Sequence, residues 1–266
     1  TAAYLGSTSI LAIATDPNFT RIAKRMSGMP IWKSSMKKSF AMMTANKTTK
    51  QQAIRMGLIA ENWSGVAYGQ ARYAGEIMGG RVSEAISTTA MNLSLLSPFT
   101  QAGRWSFGME FMGFIADNAA KPYSALNQPF KDTLERFGIS EADWGKMASF
   151  EQYDFKGAKF LRPDEMMEAD RDLAFKTLEM IQGMTNLAVP VSSVRARSTL
   201  VGNTRAGTMS GELVRSFAMF KNFPVTFYQN NMMAAIYQKG TGRKLAIASD
   251  LFISTSAMAA LSIQMR

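Results

Sequence analysis

Between its prolines and glycines this chain repeats its apolar residues every three to four positions, and only Phe150–Phe160 shows even a weak two-residue alternation. That periodicity is the signature of helices with one buried face, and it limits the fold more than composition does. The expectation is an all-α, multi-helix bundle, with an elongated outline as one form it can take. Pro and Gly divide it. A small-residue helix covers 1–15, a second spans about 17–28 and closes at Gly28, and Pro30 opens a basic amphipathic helix at roughly 31–44. Residues 51–95 read as mostly helical. Ser97-Pro98 starts a strong helix over about 98–121, carrying Trp105, Met109, Phe111, Met112 and Ile115. Pro129 and Gly138 bracket a shorter helix, and Ser140 with Asp143 has the spacing of a capping box.

Phe150–Phe160 reads as a small hairpin or an irregular loop, and Pro163-Asp164 opens a helix to about Met184. Gly207-Thr208 leads into a long helix over about 209–238, which Pro224 kinks or divides. A final helix covers about 243–265. The natural divisions are an N-terminal helical region, 1–122, a middle region with irregular loops, 123–206, and a C-terminal long-helix region, 207–266. The start at Thr1 shows no charged leader pattern, and the apolar run Leu261–Met265 stops without a helix stop signal. The expectation is a stretch of a longer polypeptide.

The chemistry is bounded by what the chain lacks. It has no histidine and no cysteine. Ser-His-Asp and Cys-His catalysis are thereby excluded, as are zinc and iron sites built on nitrogen and sulfur ligands. A disulfide scaffold is excluded too. Carboxylates cluster as Asp164, Glu165, Glu168, Asp170 and Asp172. They read as helix-start charges, since negative charge is favourable in a first turn, rather than as an acid-base or magnesium site. No cofactor, metal site or catalytic residue is expected. Methionine is abundant at 21 residues. Met fills irregular gaps, so it serves a core, or a surface that repacks between two states.

Formal net charge is +10 and is unevenly placed. Residues 1–60 carry nine Lys/Arg against Asp16, and 183–266 carry nine against Glu212 and Asp250, around a net acidic middle. Basic ends suit a polyanion or an acidic partner, and equally a solvated cationic surface. Arg195, Arg197 and Arg205 form a basic loop able to touch phosphates, without the aromatic interleaving that stacks bases. Phe217, Phe220 and Phe223, with Phe227 and Tyr228, make an aromatic face around Pro224. Their helical spacing fits a core or a subunit interface better than a ligand site. Leu245–Met265 is apolar but interrupted by Asp250. It reads as a buried or interfacial helix, with membrane insertion after a conformational change as the alternative.

The block Gly207-Thr208-Met209-Ser210-Gly211-Glu212-Leu213-Val214-Arg215-Ser216-Phe217, followed by Phe220-Lys221-Asn222-Phe223-Pro224, resembles the C-terminal part of very large proteins of tailed bacteriophages and prophages. These are internal virion (ejection) proteins and related polyproteins. Leu5-Gly6-Ser7, Gly28-Met29-Pro30, Ala53-x-x-Met56-Gly57-Leu58, the run Ser97–Arg104, Leu134–Ile139 and Asp143-Trp144 resemble it as well. The peptidoglycan-cleaving domain that members often carry has no counterpart here, and no catalytic residue carries over. The resemblance implies a structural role inside the capsid, release with the DNA, and a place at the host cell envelope afterwards. Partners would be further copies, other internal and portal proteins, DNA without sequence preference, and the host inner membrane after ejection. Within the matched block, Phe217, Phe220, Phe223 and Pro224 would be architectural, and Arg215 and Lys221 are the charges best able to reach a phosphate or an acidic partner. The alternative is a non-catalytic scaffold region of a phage polyprotein that accompanies an enzyme or toxin domain into the host.

Overall fold

The computed structural model describes residues 19–31, 96–155, 158–190 and 238–264, with scattered positions between 202 and 236. Among them the fold is all-α apart from one two-stranded hairpin. In chain order the elements are α1 (19–27), α2 (Leu96–Ala119), a short 3-10 turn (Tyr123–Ala125), α3 (Gln128–Arg136), α4 (Glu141–Ser149), β1 (Tyr153–Phe155), β2 (Ala158–Phe160), α5 (Pro163–Ala169), α6 (Arg171–Ala188), α7 (Met233–Ile236) and α8 (Thr241–Gln264).

Local chemistry places the boundaries. Gly28 ends α1 at φ +72° and Gly138 follows α3 at φ +69°, the left-handed conformation a side chain disfavours. Asn127 caps α3, accepting from Phe130 N at 2.9 Å, and Pro129 sits in the first turn. The Ser140–Asp143 capping box is complete, with Ser140 Oγ accepting from Asp143 N at 3.2 Å and Asp143 Oδ2 accepting from Ser140 N at 3.0 Å. Phe150–Phe160 resolves as the hairpin, with Tyr153 opposite Phe160 and Phe155 opposite Ala158.

One expected helix is two. The helix opened by Pro163 stops at Ala169, because Asp170 is extended at φ −146° and ψ 92°. Asp170 then caps α6 by accepting from Leu173 N at 3.2 Å, and α6 runs on to Ala188. A side chain that caps competes with helix continuation, which explains the break. Near the other end, Thr208 Oγ1 accepts from Gly211 N at 3.1 Å, and 209, 211 and 213 are helical, as expected of a helix led in by Gly207-Thr208. The kink expected at Pro224 lies outside the described residues, as do the helices expected over 1–15, 31–44 and most of 51–95.

One apolar cluster draws on α1, α2, α3, α4, the hairpin, α5, α6 and α8. At its centre Phe130 stands edge-on to Phe114 and to Trp144, with ring centroids 5.0 Å and 5.5 Å apart. Trp144 keeps its indole N–H satisfied by donating to Lys121 O at 3.0 Å. Met26, Met29, Met112, Met147, Met166, Met180 and Met184 are all buried in this cluster, so methionine serves here as core filler. Gly183 makes room for Phe137, whose Cζ would lie 2.7 Å from a β-carbon at that position.

Candidate functional site

Helix α1 is the pivot of the charged network. Phe19, Ile22, Ala23 and Met26 are buried at helical spacing, and Thr20, Lys24 and Ser27 are buried beside them. The helix is therefore enclosed nearly all round, and within 19–27 only Arg21 and Arg25 reach solvent. Polar contacts fix it on several sides. Thr20 Oγ1 donates to Ala188 O at 3.2 Å, at the end of α6. Thr133 Oγ1, on α3, donates to Met26 O at 3.2 Å. Asn127 Nδ2 donates to Gly28 O at 3.1 Å, and a β-carbon at Gly28 would lie 2.0 Å from Asn127 Oδ1.

Lys24 is fully buried, with its ammonium 3.0 Å from Glu110 Oε1 on α2. A buried ammonium is tolerated only when paired, so Glu110 is what permits a lysine in this core. Arg21 and Arg25 both approach Asp250 of α8, at 3.9 Å and 3.1 Å. The Arg25 Nε to Asp250 Oδ2 contact is close, yet Arg25 Nε has no aligned hydrogen-bond acceptor, so the attraction there is coulombic rather than a directed bond.

Helix α8 is clasped at further points. Arg243 pairs with Asp132 on α3, and Lys239 lies 2.5 Å from Glu135. Hydrogen bonding to Glu135, then its charge, raises the Lys239 pKa above the ordinary lysine value. Ile247 and Leu251 are buried, whereas Leu245, Phe252 and Ile253 are 71%, 73% and 64% exposed on the outer face. No helix among the described residues is long and apolar enough to cross a membrane.

Of the clustered carboxylates, Glu165, Asp170 and Asp172 are engaged at helix starts or with nearby cations. Asp170 caps α6 and accepts from Lys146 Nζ at 2.8 Å, and these contacts, Lys146 first, hold its carboxyl below the ordinary range. Glu165 pairs with Arg162 at 2.5 Å and Asp172 with Lys176 at 2.6 Å. Among the described residues no group of three or more carboxylates is placed to hold a metal ion.

Arg195, Arg197, Arg205, Arg215, Lys221, Phe217, Phe220, Phe223 and Pro224 all lie outside the described residues. The structure instead brings together Arg21, Lys24 and Arg25 against Glu110 and Asp250, a constellation the sequence reading did not single out. Its signal was present as three cations, Arg21, Lys24 and Arg25, at helical spacing beside Phe19, Ile22, Ala23 and Met26. No family model, curated protein or solved structure matches the chain.

Proposed function

We infer that this chain is a non-catalytic, structural segment of an internal virion (ejection) protein of a tailed bacteriophage. It is held in the capsid with further copies of itself and with other core and portal proteins, and it serves passage of the genome across the host envelope. Contact with DNA is electrostatic and indifferent to sequence, since the chain's excess of positive charge comes without a base-reading motif. After ejection its exposed apolar helix faces, such as that of α8, meet the host inner membrane.

The observation that carries the reading is how charge is used in the helical body. Asp143, Glu165, Asp170 and Asp172 are engaged by helix starts or by lysine and arginine partners, and Arg21 and Arg25 reach the surface. That is the economy of a scaffold that binds rather than of a site that moves protons. The phage assignment itself is supported by the motif resemblance spanning Leu5 to Pro224.

The deciding experiment is quantitative mass spectrometry of purified phage particles before and after triggered DNA release. The protein is expected inside intact particles and absent from emptied ones. A protein missing from intact particles, or retained unchanged after release, overturns the reading.

A further inference from the structure

The solvent-facing side of α1 is unusual in being made of two arginines and in being shared with a carboxylate from a distant part of the chain. Arg21 and Arg25 lie one turn apart on a stripe whose side chains are 52% and 32% exposed. A guanidinium is a planar fork that matches the oxygens of a phosphate, and two forks at i and i+4 present their donors to one group. In this structure that group is Asp250.

We propose that Arg21 and Arg25 form a binding site for the phosphate backbone of nucleic acid, and that Asp250 of α8 occupies it as an internal competitor. The proposal rests on the DNA-contact part of the function inferred above and gives it a place and a switch.

The fit supports it from both sides. Asp250 is an imperfect occupant: Arg21 stands 3.9 Å away, and Arg25 Nε, though buried, lacks an aligned acceptor. A phosphodiester, like a carboxylate, spreads one negative charge over two oxygens, but it can approach Arg21 and Arg25 from solvent, whereas Asp250 is recessed at 16% exposed. The site is also preorganised. Thr20, Lys24 and the Met26 carbonyl lock α1 to α6, α2 and α3, so the arginines stay in place whoever occupies them. The competitor comes from a helix with an open outer face: α8 buries Ile247 and Leu251 and leaves Leu245, Phe252 and Ile253 in solvent. Docking of α8 and binding of DNA therefore oppose each other, and by reciprocity anything that loosens one strengthens the other by the same factor.

The test is fluorescence anisotropy of the whole chain with a mixed-sequence duplex DNA oligonucleotide at several salt concentrations. Asp250→Asn is expected to tighten binding roughly three- to fivefold, as its two contacts to Arg21 and Arg25 are released for phosphate. Asp250→Glu keeps the competing charge and stays near wild type. Arg21→Gln with Arg25→Gln abolishes the gain and lowers the slope of log affinity against log salt by about 2. Asp172→Asn, which removes an equally charged but exposed acid, leaves affinity unchanged. Hydrogen exchange on the unmodified protein gives an independent readout: DNA is expected to speed exchange across 241–264 while 19–27 stays protected.

Absence of a gain in Asp250→Asn, an equal gain in Asp172→Asn, a gain that survives loss of both arginines, or α8 protection unmoved by DNA overturns the proposal. Salt-dependent DNA binding that ignores these residues leaves the functional reading standing, whereas failure of every form to bind DNA at low salt defeats the DNA contact as well. Phosphatidylglycerol vesicles form a second arm. A response to Asp250→Asn seen with vesicles and not with DNA overturns the assignment to nucleic acid.

Discussion

The α2–α6 body and the C-terminal helix α8 solve the same problem with different physics. In the body, α6 alone buries Leu173, Leu178, Ile181, Met184 and Leu187 along one face, and the starts of α3, α4, α5 and α6 each carry a proline, a side-chain cap or both. In α8, Ile247 and Leu251 are buried among the described residues, and charged contacts join them through Asp250, Arg243 and, just upstream, Lys239. Apolar burial is insensitive to salt and large per residue, roughly 1.5–3 kcal/mol for a fully buried side chain. Exposed ion pairs contribute well under that, a median of about 0–1 kcal/mol, and are screened within about 8 Å at physiological ionic strength. The hold of the body should therefore ignore salt, while that of the α8 ion pairs should not.

The largest effect should come from the body. Phe130 is fully buried and stands between Phe114 and Trp144, so Phe130→Ala leaves a cavity that neighbouring rings cannot collapse into. A loss of about 3–5 kcal/mol is expected in denaturant unfolding. A loss under about 1 kcal/mol would mean that the aromatic cluster is no more essential than α8, and the contrast between the regions would fail.

Next comes the buried ion pair. Glu110→Gln removes the carboxylate 3.0 Å from the buried Lys24 ammonium, and a loss of about 3 kcal/mol is expected, since breaking a buried ion pair is costly. Lys24→Met with Glu110→Leu should recover most of it. Thermal unfolding of both forms sharpens the comparison: recovery shows that this charge is costly to orphan rather than stabilising in itself.

Much of this body was legible in the sequence, and what was missed has a common cause. Gly28, Gly138, Pro129 and the Ser140–Asp143 box mark their boundaries by chemistry that acts within four residues, so sequence suffices to find them. Asp170 was visible as an acid near a helix start, but whether it continues one helix or caps a second is decided by its own backbone angles and by Lys146. Lys24 looked like part of a solvated cationic segment. Its burial depends on Glu110, which is 86 positions away. The same holds for Arg21 and Arg25, whose partner is on the last helix. Apolar periodicity, likewise, cannot say which side of an apolar segment such as Leu245–Ile253 will find a neighbour.

A smaller effect belongs to the start of α4. Ser140→Ala should cost about 1 kcal/mol, the usual value of a cap. The cap also has a pH signature. The Ser140 backbone N–H, ahead of its hydroxyl and the nearby lysines, holds the Asp143 carboxyl below its ordinary range. A depressed folded value means that the stabilisation is complete above the unfolded carboxylate value, near 4, and is lost as pH falls through the lower folded value. Asp143→Asn should therefore show a shallower loss of stability in that acid window than the unmodified protein. An identical acid limb would show that the carboxylate contributes nothing there.

The smallest effects should be those of the α8 clasp, and their ranking follows from exposure. Asp132 is only 9% exposed where it meets Arg243, whereas Lys239 and Glu135 are 64% and 48% exposed. Arg243→Gln leaves the nearly buried Asp132 with the Gln128 Nε2 donor at 2.9 Å and should cost somewhat under about 1 kcal/mol, while Lys239→Gln should cost less still, because water replaces the lost partner. Native-state hydrogen exchange resolved over 241–264 measures both against the body. Raising salt should speed exchange in α8 and leave α6 unchanged, and Arg243→Gln should remove part of that salt response. An α8 whose exchange ignores salt, or slows with the body as a single unit, would show that apolar packing holds it after all, and the division into a persistent core and a releasable helix would not stand.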